Sequence, residues 1–128
     1  MRIAKDDVPV KLRAPGAVAR LQPGFGDASN CGVLSAEFFS LAAGTDIAPL
    51  LAGLTDDLCQ APHWGYLANG ALIVTYKDGS RERVAAGDLF YWPPGHTVRV
   101  EQDAELLMFS PERAHREVLE HMKAKMGA

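Results

Sequence analysis

The chain of 128 residues is long enough to bury the core of one domain and too short for a second domain of ordinary size. A hydrophobic content of 48% beside 23% charged residues is typical of a globular protein, and no apolar stretch approaches the roughly 20 residues of a membrane helix. The formal net charge is −3 and no strong basic cluster is present. These features predict no nucleic-acid partner and no membrane partner.

The N-terminal residues 1–32 predict an irregular segment that wraps over a core. Charged residues together with Pro9 and Pro15 interrupt its beginning, so it lacks the continuous apolar region of a secretory signal, and we expect a cytoplasmic protein. Further prolines and glycines in this range favour extended or irregular chain. Cys31 and Cys59 form neither a CxxC pair nor a disulfide framework, which predicts two free thiols, with Cys31 a buried apolar side chain.

Short strand patterns follow in quick succession from residue 33. The segments 71–76 and 81–86 flank "KDGS", whose Asp-Gly pair suits the positive backbone torsions of a tight hairpin turn. Further strand patterns cover residues 33–41, 87–92, 97–101 and 104–109. Strands at close spacing without intervening helices predict an all-β fold, an antiparallel sandwich or barrel over residues 33–110.

The tail, residues 111–128, has the pattern of a single α-helix. Ser110 is a suitable N-cap, Pro111 suits the first helical position, and Glu112 favours the positive end of the helix dipole. An apolar stripe predicts packing onto the barrel or onto a second subunit; its members are Ala114, Val118, Leu119, Met122 and Met126.

Residues 57–110 resemble the two-motif core of a small single-domain cupin of the RmlC-like superfamily. In that family a first motif carries two histidines, a glutamate and then a glycine seven positions later, and a second motif runs from Gly-Asp through Pro-x-Gly to one more histidine. Gly70 here closes the first motif, Gly87-Asp88 opens the second, and residues 93–95 supply Pro-Pro-Gly. The resemblance implies a conical antiparallel β-barrel, a double-stranded β-helix or jelly roll.

The resemblance also implies an altered set of metal ligands. His63 stands in the register of the family's glutamate, Cys59 and Asp57 stand in the registers of its two histidines, and the last histidine position is Val98. His96 lies two residues before Val98, and residues two apart in a strand share a face. The candidate ligands are therefore Asp57, Cys59, His63 and His96. A thiolate with imidazoles favours a divalent transition metal, zinc first and iron or nickel next.

Aromatic residues flank both motifs and are candidates for a ligand-binding lining or for plain core packing. They are Trp64, Tyr66, Tyr91 and Trp92. A Cys59–His63 nucleophilic pair is a weaker alternative, because nothing in the sequence marks an orienting group or an oxyanion hole.

Two classes of function remain open at the level of sequence. The chain is a metal-dependent enzyme that acts on a small organic molecule, or a non-catalytic cupin that binds or senses a small molecule without metal.

Self-association is a separate expectation. Small barrels leave sheet edges, and the proline-rich N-terminal segment could pair across a two-fold axis, so a homodimer is predicted.

Overall fold

A computed structural model of the chain describes residues 5–25 and 32–127. Cys31, predicted above to be a buried free thiol, lies outside the described residues. The described part holds one antiparallel sheet and a C-terminal helix, which confirms the predicted fold class. No helix in these residues combines the length and the apolar content that spanning a membrane requires.

Among the described residues, seven strands form the sheet in the order β1-β2-β3-β7-β4-β5, and β6 pairs with β4 beside this path. The strands are β1 Val10–Ala14, β2 Ala17–Gln22, β3 Leu34–Leu41, β4 His63–Tyr76, β5 Arg81–Ala85, β6 Leu89–Trp92 and β7 His96–Pro111. The α-helices are α1 Ala48–Leu51 and α2 Glu112–Lys125, with short 3-10 helices at Lys5–Asp7 and Thr55–Asp57.

The hairpin predicted around "KDGS" joins β4 to β5. The backbone N–H of Tyr76 donates to the carbonyl of Ser80 at 2.9 Å, and Gly79 takes a φ of +84°. A left-handed residue is what a tight two-strand turn requires, and glycine adopts it without a steric penalty. The two strands leave this turn in register as far as Ala71 and Ala85.

Three local expectations differ from the structure. Part of the N-terminal segment expected to be irregular is the β1–β2 hairpin, which extends the sheet beyond β3. The two patterns at 97–101 and 104–109 form one long strand, β7, because the intervening polar residues continue to pair with β4. The short helix α1 was not predicted, since four residues are too few to show a helical period.

Helix α2 begins one residue later than expected and lacks the predicted side-chain cap. Pro111 occupies the N-cap position, and no side chain caps the helix. The hydroxyl of Ser110 turns instead into the interior, where it bonds to His63 and Glu37. The competing buried partners explain why the usual capping preference of serine is not realised.

In the part of the chain that the structure describes, two apolar clusters fill the interior. One lies between the long strands and includes Leu67, Val74 and Leu106. The other joins α1, α2 and the β1–β2 hairpin through Leu12, Leu51 and the predicted stripe of α2. The stripe therefore packs onto the sheet of its own chain, and the space between the two clusters is where the candidate site lies.

Candidate metal centre

Backbone pairing places Cys59 beside His96. The two residues form an isolated antiparallel bridge in which the Cys59 N–H donates to the His96 carbonyl at 2.9 Å. The N–H groups of Gly95 and His96 donate in return to the Cys59 carbonyl at 2.8 and 3.2 Å. Gly95 has a φ of +91°, so the turn of the Pro-Pro-Gly segment depends on a residue without a side chain.

The imidazole of His63 enters the same space from the first residue of β4. His63 pairs with Trp92 on β6, and its side chain points inward while that of its neighbour Trp64 points outward. Its Nε2 lies 3.7 Å from the Sγ of Cys59, and its ring centroid is 5.1 Å from that of His96. The potential ligand atoms of Cys59, His63 and His96 all lie within 4.8 Å of one another, and all three residues are buried. We call these three residues the Cys–His cluster.

Hydrogen bonds leave one nitrogen of His96 free to bind a metal. Its Nδ1 lies 2.8 Å from the carbonyl oxygen of Pro93. A carbonyl only accepts, so Nδ1 carries the proton and the lone pair of His96 is on Nε2. This arrangement, in which a backbone carbonyl fixes the tautomer, is common among metal-binding histidines.

A buried carboxylate, that of Glu37, is linked to His63 through the hydroxyl of Ser110. The side chain of Glu37 on β3 accepts hydrogen bonds from the hydroxyls of Ser35 at 2.8 Å and Ser110 at 2.9 Å, and it contacts Nδ1 of His115 on α2. We call Ser35, Glu37, Ser110 and His115 the carboxylate network. Every member is buried, so the apolar interior encloses a set of polar groups that satisfy one another.

The carboxylate network also sets the tautomer of His63. Its Nδ1 lies 2.6 Å from the Ser110 hydroxyl oxygen. The single hydroxyl proton of Ser110 goes to Glu37, so Ser110 accepts from His63 and the proton of His63 is on Nδ1. The Nε2 lone pair then faces Cys59, as metal binding requires.

Burial keeps the Cys–His cluster uncharged. Desolvation raises the pKa of the Cys59 thiol to about 12. Desolvation also lowers the pKa of His63 well below its usual value, with smaller contributions from His115 and His96, and lowers that of His96 to about 4. Two neutral imidazoles are ready metal ligands, whereas the thiol must lose its proton to the solvent when an ion binds.

The fourth predicted ligand, Asp57, stays outside the cluster. Asp57 lies on the exposed 3-10 helix, has a φ of +57°, and accepts the N–H of Gly53 at 2.8 Å. The chain turns between this helix and Cys59, so the alternation of an extended strand does not carry across it. Val98 is buried on the same side of β7 as His96, in agreement with the two-residue spacing.

Only one of the four predicted aromatic ligand-binding residues faces the interior. Trp92 is buried and lines the central cavity. Trp64, Tyr66 and Tyr91 are 48%, 41% and 49% exposed on the outer face of the sheet. Side chains alternate between the two faces of a strand, and each of these three residues is next to a residue that faces the interior. They therefore point to the face opposite that of His63 and Trp92.

Two residues near the cluster were missed by the sequence analysis. Glu37 shares the inward face of β3 with Ser35, and His115 belongs to the same helical stripe as Val118, Leu119 and Met122. Both positions follow from the strand and helix periods, so the signal was present. A second group of possible metal ligands, Glu37, His63 and His115, also has its atoms within 4.8 Å, but the Glu37 oxygens already accept the bonds given above.

A cavity of about 180 Å³ opens beside the Cys–His cluster. Apolar residues from the sheet, α1 and α2 form most of its wall, together with Cys59, His63 and His96. Pro15 on the β1–β2 turn is exposed, and Leu50 and Met126 are partly exposed, so the opening lies between these elements. A molecule in the cavity would therefore reach the cluster.

No protein-family model and no curated protein matches the sequence, whereas solved structures do. An RmlC-like cupin from Shewanella frigidimarina NCIMB 400 matches with a TM-score of 0.59 and 18% identity over 87% of this chain and 90% of that one. The fold is that of the cupins. A conserved protein of unknown function, SPY1581 from Streptococcus pyogenes, matches with a TM-score of 0.54 and 18% identity over 75% and 74% of the two chains.

A larger cupin structure shares the same fold. A mutant of oxalate decarboxylase OxdC from Bacillus subtilis matches with a TM-score of 0.61 and 21% identity over 84% of this chain. The match spans only 28% of the decarboxylase chain. The resemblance seen in the sequence to a small cupin with altered ligands is thus confirmed at the level of fold, and its buried His, Glu and Cys residues could hold a metal ion.

The cupin motif residues have structural roles here. Asp88 accepts the N–H of Ala85 at 2.8 Å through its carboxylate, which closes the turn between β5 and β6. Gly70, with a φ of +88°, allows β4 to approach the backbone of Asp103. The motif match therefore reflects the turns of the barrel, while the Cys–His cluster is the part of the chain that could hold a metal ion.

Proposed function

We propose that this cupin binds a divalent transition metal ion through Cys59, His63 and His96 and admits a small organic ligand to the adjacent cavity. The observation that carries the proposal is the convergence of one thiol and two imidazoles whose free nitrogens are fixed by their hydrogen bonds. One sulfur and two nitrogen donors suit zinc first and iron or nickel next. Three protein ligands leave a position for water or ligand, and a bound ion would supply Lewis-acid chemistry there.

The donor set fits a metal better than it fits a nucleophilic pair. The carboxylate network supplies an orienting group for His63, which the sequence did not reveal. Burial, however, raises the pKa of Cys59 to about 12, so the metal-free thiol is almost wholly protonated near neutral pH and is a poor nucleophile. A bound metal ion would lower the pKa of the Cys59 thiol again, because the ion binds and stabilises the thiolate form.

The substrate named for the matched decarboxylase does not extend to this chain on the fold alone. Oxalate is a dianion, and no Lys or Arg stands among the described residues that line the cavity. The ligand has to be inferred from the chemistry of the site rather than from the shared barrel fold.

Calorimetric titration of chelator-treated protein with zinc tests the metal site. We expect one equivalent to bind, with the affinity reduced at least 100-fold in Cys59→Ser and strongly reduced in His63→Gln and His96→Gln, since each removes a ligand. Asp57→Asn is the matched control and should keep the wild-type affinity, because Asp57 is exposed and bonded to Gly53. Cys31→Ser controls for the second thiol.

Absence of zinc binding at micromolar concentration would contradict the metal site. An equal loss in Asp57→Asn and Cys59→Ser would contradict this choice of ligands. If zinc does not bind but organic ligands do, the chain is the metal-free binding module that remained open in the sequence analysis.

A further inference from the structure

The wall of the cavity beside the Cys–His cluster is almost entirely apolar among the described residues. Apolar side chains from β1, β2, β3, α1 and α2 make up most of it, and no Asp, Glu, Lys or Arg takes part. Its polar groups belong to Thr45, Cys59, Trp92 and three histidines. Transferring an ion from water into such a wall costs several kcal/mol in the absence of a paired charge.

The size of the cavity limits the ligand further. A volume of about 180 Å³ is slightly larger than the apolar cavity of about 150 Å³ that holds benzene in another protein. The ligand is therefore a molecule about as large as a benzene ring with a short substituent.

One polar group in the wall has no partner in the described part of the protein. The indole Nε1–H of Trp92 is buried and donates no hydrogen bond there. The same side chain lines the cavity, and its ring stacks on Phe90 at a centroid distance of 4.0 Å, which fixes its position. An unsatisfied buried donor is unfavourable, and a ligand atom that accepts its hydrogen bond would remove that cost.

We propose that the cavity binds a small uncharged molecule that is apolar except for one hydrogen-bond-accepting oxygen or nitrogen, which is held by the Trp92 indole N–H. This inference rests on the ligand-binding half of the proposed function and is independent of the metal. It separates this chain from proteins that use the same barrel for organic anions. A carboxylate of the same size should not bind in the metal-free cavity, since no Lys or Arg lines it and the lining His115 already contacts the carboxylate of Glu37.

Three compounds that share a benzene ring test the ligand class. Toluene is apolar, benzonitrile adds a neutral acceptor, and benzoate adds a negative charge. Binding to the chelator-treated full chain is measured by saturation-transfer NMR and calorimetry, so the result does not depend on metal. We expect benzonitrile to bind about tenfold more tightly than toluene, the effect of one buried hydrogen bond, and benzoate not to bind.

Two variants and one control connect this binding to the cavity. Ala17→Phe fills the wall near the opening and should abolish binding, whereas Val18→Phe, the next residue of β2, points to the other face of the sheet and should not. Trp92→Phe keeps an aromatic ring but removes the N–H, so benzonitrile should then bind no better than toluene. Thermal unfolding checks that each variant is folded.

Benzoate binding as tight as that of toluene would overturn the proposal, as would failure of both neutral compounds to bind at millimolar concentration. An unchanged benzonitrile preference in Trp92→Phe would overturn the role of the indole. Zinc titration of the same sample is a separate readout. Loss of the metal site therefore cannot be mistaken for loss of the cavity.

Discussion

At the scale of single residues, hydrogen bonding decides which atoms of the Cys–His cluster are available. Pro93 holds the proton of His96 on Nδ1, and Ser110 does the same for His63. Ser110 can do so because its own proton is taken by Glu37. The ligand quality of His63 therefore depends on a serine and a glutamate from two other elements.

Removing the Ser110 hydroxyl should weaken metal binding without removing a ligand. In Ser110→Ala, His63 loses the acceptor that fixes its tautomer, and we expect zinc affinity to fall 10- to 100-fold, the usual effect of losing such a partner. In metal-free protein, 15N NMR should also show His63 changing from the Nδ1–H form toward the other tautomer. Calorimetry and NMR measure the two effects.

Ser35→Ala is the matched control for Ser110→Ala. It removes a bond of 2.8 Å to the same Glu37 carboxylate, so we expect either serine replacement to lower the unfolding free energy by about 1–3 kcal/mol. No hydrogen bond joins Ser35 to His63, and its zinc affinity should stay close to wild type. Equal losses of affinity in the two variants would show that the effect is only one of stability.

At the scale of elements, the long strand β4 depends on a close approach at Gly70. The strand pairs with β6 over its first half and with β5 over its second, and its register against β7 shifts between Leu67 and Leu72. Gly70 lies at this irregularity with a φ of +88°, and an added Cβ would lie 2.2 Å from the carbonyl oxygen of Asp103. The bend thus requires glycine for two reasons, torsion and space.

Gly70→Ala should destabilise the fold more than a positive φ alone explains. The left-handed conformation costs about 1–2 kcal/mol for a non-glycine residue, and the backbone contact adds to it, so we expect a total loss above about 3 kcal/mol. Urea unfolding measures the change in free energy.

Gly79→Ala provides the comparison for Gly70→Ala. Gly79 has a nearly equal φ of +84°, and no atom lies within 4 Å of its added Cβ. Its loss should therefore stay at the torsional cost of about 1–2 kcal/mol. Equal losses in the two variants would mean that β7 moves away freely and that the close approach is unimportant.

At the scale of the whole molecule, the sheet presents a continuous apolar patch to the outside. Register places Trp64 and Tyr66 of β4 beside Tyr91 and Leu89 of β6 on one side, and beside Phe109 and Leu107 of β7 on the other. The outer apolar patch consists of Trp64, Tyr66, Leu89, Tyr91, Leu107 and Phe109. Large side chains offer about 150–250 Å² each, so these exposed fractions leave on the order of 600 Å².

We expect this patch to dock a second copy of the chain. Its area approaches the roughly 800 Å² per partner of a stable interface, and none of its six members is charged, which suits a self-complementary two-fold contact. Sedimentation velocity should give a dimer of 13.8 kDa subunits at micromolar concentration. The double variant Tyr66→Lys/Leu89→Lys should be monomeric, because it places four charges in the interface.

Val10→Lys is the control for this surface. Val10 is 39% exposed on β1, the edge strand of the N-terminal segment that the sequence analysis proposed for pairing. If the outer apolar patch is the interface instead, the replacement of Val10 should leave the dimer intact. A wild-type protein that is still monomeric at about 100 μM would contradict docking through the outer apolar patch. A dimer that persists in the double variant would contradict it as well.

The sequence by itself determined several of the turns and the antiparallel β fold, although it missed the β1–β2 hairpin and divided β7 into two strands. "KDGS", Gly87-Asp88 and Pro-Pro-Gly are local signals, because backbone torsion is decided by the residues at the turn. The spacing also indicated Cys59, His63 and His96 as candidate ligands, and the structure places their ligand atoms together. The inward faces of β3 and α2 were readable in principle from their periods, although Glu37 and His115 were not recognised.

Only the tertiary structure decided which of these residues meet and in which chemical form. Asp57 has the spacing of a ligand but lies on a turn that directs it to solvent, and one step of alternation sends Trp64 outward while His63 points inward. The pairing of Glu37 with Ser110 and His115 joins residues more than 70 positions apart. Burial then keeps the thiol protonated and the imidazoles neutral, and burial is a property of the packed core rather than of any local run of residues.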